Sequence, residues 1–201
     1  MACNGDIWAV TPSTSATYYR AAASVAGAGA LTLLTDDAGP NGVGYKVRFT
    51  SAGNDSGITF TIVGITVADA LTGNSTTEVV TGPNASTADS SNFFAKVTSI
   101  TASGASAGNV SIGTTGSIAL PRTRLKGFYY LASGSAGSIK VNLNSSSGTE
   151  LLNIATPASA TGTQDMFLPG MGILTTSTGS SITDFSVVTI TNVTNTVLFC
   201  G

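Results

Sequence analysis

Tyr45-Lys46-Val47-Arg48-Phe49 and, beyond Gly53-Asn54-Asp55-Ser56-Gly57, Ile58-Thr59-Phe60-Thr61-Ile62 alternate apolar and polar residues with a period of two. That period belongs to a strand with one buried face, because successive side chains point to opposite sides. Tyr45, Val47 and Phe49 would then share a core with Ile58, Phe60 and Ile62, leaving Thr59 and Thr61 on the other side. The Gly- and Asn-containing stretch between the two runs has the composition of a hairpin loop. Strands at 45–51 and 58–63 are therefore expected to be hairpin partners.

The same alternation recurs at Val110-Ser111-Ile112, at Ile139-Lys140-Val141-Asn142-Leu143, through Phe185-Ser186-Val187-Val188-Thr189-Ile190 and in Val197-Leu198-Phe199. Turn signals punctuate it. The strongest is Asp36-Asp37-Ala38-Gly39-Pro40-Asn41-Gly42; Gly82-Pro83-Asn84, Ser103-Gly104, Gly113-Thr114-Thr115-Gly116 and Ser145-Ser146-Ser147-Gly148 follow. Strands at intervals of about 8–12 residues predict an all-β chain of antiparallel β-sandwich modules, of jelly-roll or Ig-like type. One helix is expected at most, in the Ala-rich run Ala21 to Leu34, where Gly27 and Gly29 each weaken it by about 1 kcal/mol relative to Ala. Pro121 and the end of the Gly-rich sequence predict a boundary near 116–121. The expected organisation is an N-terminal arm or short helical segment (1–30), a first β module (31–118) and a second (119–201).

Composition narrows the function. Only 9% of residues are charged, against about 25% in an average soluble protein. His is absent, which removes Ser-His-Asp and Cys-His catalysis and His metal sites. A net charge of −2 gives no electrostatic footprint for nucleic acid, so no nucleic-acid partner is expected. The longest apolar run is too short for a membrane helix, and Met1-Ala2-Cys3-Asn4-Gly5-Asp6 lacks the basic start of a secretion signal, so no membrane partner and a protein made in the cytoplasm are expected. Cys3 and Cys200 near the two ends are then expected as reduced thiols. With 42% hydrophobic residues the chain can build a core. A neutral, Ser/Thr/Ala-rich surface suits faces covered by copies of the chain or by a larger assembly.

Few motifs carry chemistry. Asp36, Asp37 and Asn41 have oxygens that calcium favours, but no ligand spacing goes with them, and an Asp-stabilised turn is the simpler reading. Glu78 and Glu150 each stand alone, so nothing marks the facing carboxyl pair of a glycosidase. No catalytic residue, metal or cofactor is assigned, and no enzyme activity is expected. Arg122, Arg124 and Lys126 fall on one side of a strand, with Phe128 and Tyr130 continuing that face. They suit either a solvated edge strand or a contact stripe for an acidic neighbour. The aromatics Tyr18, Tyr19, Phe93, Phe94, Phe128, Tyr129 and Tyr130 suit core or interface anchors better than a sugar or base platform. The sequons at Asn54, Asn74, Asn84, Asn109, Asn144 and Asn192 are what chance gives in so Ser/Thr-rich a chain.

Thr76-Thr77-Glu78-Val79-Val80-Thr81-Gly82-Pro83-Asn84, then Phe93-Phe94-Ala95-Lys96-Val97-Thr98-Ser99-Ile100-Thr101-Ala102-Ser103-Gly104 and Gly108-Asn109-Val110-Ser111-Ile112-Gly113, resemble a segment of small virion proteins of tailed bacteriophages. The stretch Arg122-Thr123-Arg124-Leu125-Lys126-Gly127-Phe128-Tyr129-Tyr130 resembles β modules of marine phages less specifically. The resemblance implies a structural virion component without an active site. The expectation is a capsid decoration (cement) protein on the capsid surface, trimeric, whose partners are the major capsid protein and itself. Trp8, Tyr18 and Tyr19 would anchor it, and deleting residues 1–20 would leave the sandwich folded. A tail fibre, adaptor or tail-associated module is the alternative, and a glycan-binding β module the second.

Overall fold

A computed structural model describes residues 8–10, 14–35, 43–121, 124–158, 163–168, 173–174 and 185–200. Among these the chain forms sixteen strands and no helix. They are β1 (Trp8–Val10), β2 (Arg20–Ala23), β3 (Gly29–Ala30), β4 (Gly44–Ser51), β5 (Thr59–Thr66), β6 (Thr76–Thr81), β7 (Thr87–Asp89) and β8 (Phe94–Ala102). Then come β9 (Val110–Leu120), β10 (Arg124–Ala132), β11 (Gly137–Leu143), β12 (Glu150–Thr156), β13 (Thr163–Phe167), β14 (Ile173–Leu174), β15 (Ser186–Thr191) and β16 (Val193–Cys200). All described pairings are antiparallel, in a large and a small sheet.

The chain divides into two units, one of Ser13–Pro40 with Gly44–Thr115, the other of Met1–Pro12, Asn41–Val43 and Gly116–Gly201. The division falls inside β9 and not in a linker. The first part of β9 pairs with β2 (Arg20↔Ile112, Ala23↔Val110), and its last three residues pair with β15 (Ser186↔Leu120 to Val188↔Ile118).

In the first unit the expected hairpin does not form. The neighbours run β9-β4-β8-β5-β6, so β8 separates β4 from β5. The chain from Thr87 runs antiparallel to β4 through β7 (Arg48↔Asp89 to Thr50↔Thr87). It pairs with β4 again at Tyr45↔Phe94, then leaves it and pairs with β5 from Thr66↔Phe94 to Phe60↔Ala102. The segment thus switches layers at Phe94, which is how sandwich corners are made. Register shifts at Val63/Gly64 and Ile65/Thr66 bend the ladder there. Gly64 permits it, since a Cβ at this position would lie 2.2 Å from the Lys96 carbonyl oxygen. β4 and β5 therefore belong to opposite layers, and Gly53–Gly57 is a crossover loop.

Between the layers lie Val47 and Phe49 of β4, Phe60 and Ile62 of β5, Val80 of β6, Phe94, Val97 and Ile100 of β8, and Val110 and Ile112 of β9. Each inward position read from the alternation at 45–49 is fully buried, as are Phe60 and Ile62; Ile58 is half-buried.

The Ala-rich run is not a helix. Residues 20–23 form β2 on β9, and 29–30 form β3 on β8 (Gly29↔Ala102, Ala30↔Thr101). Gly29 has φ 147°, outside any helix, and the run's alanines at 21–23, 26, 28 and 30 are exposed, so a helix would gain no core face. The segment is nonetheless tied down. Tyr19 and Val25 enter the core, and the Arg20 guanidinium donates to the carbonyls of Ala23 (2.9 Å), Val110 (2.6 Å) and Ser24 (3.0 Å).

In the second unit one ladder runs β12-β11-β15 to the end of β9, and the other β1-β16-β10-β13, with β14 also on β10. Ile118, Leu120, Leu125, Phe128, Ile139, Val141, Val187, Val188 and Leu198 are fully buried. Asn192, at φ 51°, turns the chain from β15 into β16 and donates its amide to the Ala136 carbonyl at 2.8 Å.

Candidate functional site

The outer face of β8-β5-β6 follows from the same alternation that builds the core. Register places Thr59 opposite Thr81, Thr61 opposite Val79 and Val63 opposite Thr77 on β6, with Thr101 and Ser99 beside Thr61 and Val63 on β8. Directly opposed residues share a face. These eight side chains therefore form one uncharged patch of threonine, serine and valine, bordered on the same face by Ile65 and the exposed Lys96 opposite it. Thr77, Val79 and Thr81 are exposed, Val79 by 60%, and the other five are half-buried.

The inner side of these strands packs into the core. The Phe60 ring behind the patch stacks on Phe49 of the opposite layer, centroids 4.5 Å apart and planes at 16°. Glu78, the acidic residue of β6, reaches toward the other layer. Its carboxylate accepts from the Ser91 amide (2.5 Å), the Asn92 amide (3.1 Å) and the Asn92 side chain (3.0 Å). Arg48 and Asp89 form a bidentate pair across β4 and β7, both contacts 2.7 Å, and the bond to Asp89 raises the Arg48 pKa.

At one end three loops interlock around Asp55, which is 2% exposed. Its amide donates to the Pro83 carbonyl (2.8 Å), and its Oδ1 accepts from the Ala107 amide (2.5 Å). Gly53 and Gly108 touch backbone to backbone: a Cβ on Gly53 would lie 2.5 Å from the Gly108 nitrogen. At the other end of β5, the Asp69 carboxylate accepts from Thr66 (2.7 Å) and Thr76 (2.8 Å). These carboxylates accept hydrogen bonds that fix loops. Among the described residues no group of three or more His, Cys, Asp or Glu is placed to hold a metal.

The residues singled out from sequence are scattered. Tyr19, expected as an anchor, is fully buried in the first unit's core, its ring 4.9 Å edge-on to half-buried Tyr18. Deleting residues 1–20 would therefore remove a core side chain. Trp8 lies on β1, opposite Cys200. Arg122 lies outside the described residues, as do Cys3 and the Asp36–Asn41 turn. Arg124 and Lys126 are half-buried on β10, which has partners on both sides and is not an edge strand.

The face drawn through Arg124 and Lys126 to Phe128 and Tyr130 is also broken. A register shift between Leu125 and Gly127 adds a residue, so Leu125, Phe128 and Tyr130 are buried while Arg124 and Lys126 are not. Phe93 and Phe94 are buried as well, and Tyr129 is half-buried. Most of the aromatic clusters thus serve the cores. Cys200 is buried at the end of β16.

The threonine face was missed as a site, although its signal, threonines at the outward positions of Thr59 and Thr61, was in the sequence. What alternation lacked was the identity of the neighbouring strands. No protein-family profile, no curated protein and no solved structure matches the chain.

Proposed function

We propose that the protein is a non-enzymatic structural component of a phage virion: a decoration protein that binds the assembled shell and bridges neighbouring capsid subunits. The observation that carries this reading is the uncharged patch of Thr59, Thr61, Val63, Thr77, Val79, Thr81, Ser99 and Thr101, with Lys96 at its border. A face without charge is cheap to dehydrate, because no ion must be stripped of water. Threonine adds hydroxyls that bond across a contact and methyls that pack in it. Such a surface suits permanent cover by another protein. A ligand that binds only the assembled shell stabilises it by mass action. The partners are the major capsid protein and further copies of this chain, as a trimer, on the capsid surface.

The test is occupancy on purified particles, with Thr61→Lys and Thr101→Lys placed in the face. Wild type should be present in hundreds of copies per particle, and the double variant should stay folded yet lose the shell. About a dozen copies, the number symmetry gives a tail part, would assign the chain to the tail instead. Full occupancy by the double variant would remove the face from the contact.

A further inference from the structure

Among the described residues the end of the β9-β4-β8-β5-β6 path is an open edge, and its chemistry fits a second copy of itself. The phase of the β5–β6 ladder is fixed at its end, where the Gly82 amide donates to the Ile58 carbonyl at 2.9 Å. Because backbone direction alternates, residues 76, 78 and 80 bond β5, and Thr77, Val79 and Thr81 direct their amides and carbonyls outward. Among the described residues no strand other than β5 pairs with β6. Thr77, Val79 and Thr81 are exposed.

Natural sheets guard such edges with lysine, proline, bulges or inward charge. β6 has none of the first three, and the Glu78 carboxylate is held by Ser91 and Asn92. We propose that β6 pairs antiparallel with β6 of a second copy, about a twofold axis through Val79. That register is self-complementary. Val79 meets Val79 of the other copy, and Thr77 meets Thr81 in both directions. All outward backbone groups then find partners, about six hydrogen bonds at one donor and one acceptor per residue. On the other face Glu78 falls opposite Val80, so no like charges meet. Registers displaced by one residue would set outward groups against inward ones, and registers displaced by two would leave unpaired groups at both ends.

The contact is small. Two six-residue strands cover far less than the roughly 1,000 Å² of a stable interface. Pairing is therefore weak in dilute solution and becomes complete where copies are held side by side. It is independent of the virion reading, since it belongs to the isolated protein.

Cross-linking and mass measurement test it. In a Cys3→Ser background, Val79→Cys should form an interchain disulfide under mild oxidation at high protein concentration, since hydrogen-bonded pairs bring Cα atoms to about 5.5 Å. Thr77→Cys should link to Thr81→Cys in a mixture and not to itself. Val79→Lys should weaken self-association at least about tenfold, or about 1.4 kcal/mol, in sedimentation equilibrium, with an unchanged circular dichroism spectrum. Thr77→Lys should do the same. Equal masses for wild type and both lysine variants, or Thr77→Cys linking to itself as readily as Val79→Cys, would overturn the twofold pairing. So would a wild type that stays single at the highest concentration while Val79→Lys loses binding to shells; that outcome gives the edge to a shell subunit.

Discussion

Phe49 and Phe60 stack ring on ring, centroids 4.5 Å apart, although their strands are separated by β8 in the hydrogen-bonded order. The contact is made through the core, from one layer to the other, and both rings are fully buried. It ties together the two strands that the sequence presents as a hairpin. Phe60→Ala should cost about 3–5 kcal/mol, the usual loss for a buried phenylalanine. Urea unfolding followed by fluorescence reads it. A loss below about 1 kcal/mol would mean the rings do not hold the layers together.

Tyr19 gives the chain an alkaline limit. Its hydroxyl is buried and has no partner among the described residues. Burial, followed by the neighbouring Tyr18 and Tyr45, holds its pKa well above the ordinary phenol value. The folded state keeps the proton where the unfolded state releases it. Stability is therefore untouched below about pH 10, the unfolded value, and falls above it by up to about 1.4 kcal/mol per pH unit. Tyr19→Phe should flatten that fall in thermal melts across pH 9–11. It should also be neutral or stabilising at pH 7, because it removes an unsatisfied hydroxyl and keeps the ring.

The loop cluster predicts opposite outcomes for two nearby glycines. A Cβ on Gly82 would sit 2.2 Å from the Asp55 carbonyl oxygen, whereas one on Gly57 would meet nothing within 4 Å. Gly82→Ala should lose more than about 2 kcal/mol as the interlocked loops are pushed apart. Gly57→Ala should be tolerated and can gain about 0.4–1 kcal/mol by restricting the unfolded chain. Paired denaturation curves for the two variants check this.

Asp55→Ala should cost about 1–3 kcal/mol, because the Ala107 amide loses the carboxylate that accepts its hydrogen bond in a buried site. Amide exchange at Ala107 should accelerate more than at any residue of β5. Protection retained there would show that another group takes over as acceptor.

The exposed ion pair behaves differently. Arg48 and Asp89 are 35% and 32% exposed, so a double-mutant cycle to alanine should return only about 0.2–1 kcal/mol, shrinking as salt is raised.

Which face of β4 and of β5 is buried was legible in the sequence. Alternation at 45–49 and 58–62 put Tyr45, Val47, Phe49, Phe60 and Ile62 inside and the threonines outside. It could do so because hydrophobic burial is a property of side chains, and side chains differ. The scarcity of charge likewise foretold that an outward face could be bare of it. Which strands are neighbours was not legible. Backbone donors and acceptors are the same at every position, so the insertion of β8 between β4 and β5 carries no local mark. The bulge at Leu125/Gly127 that parts Arg124 and Lys126 from Phe128, and the burial of Tyr19 just before the Ala-rich run, likewise depend on contacts with residues distant in the chain. Composition and period determined what is buried, while long-range packing decided what lies beside what.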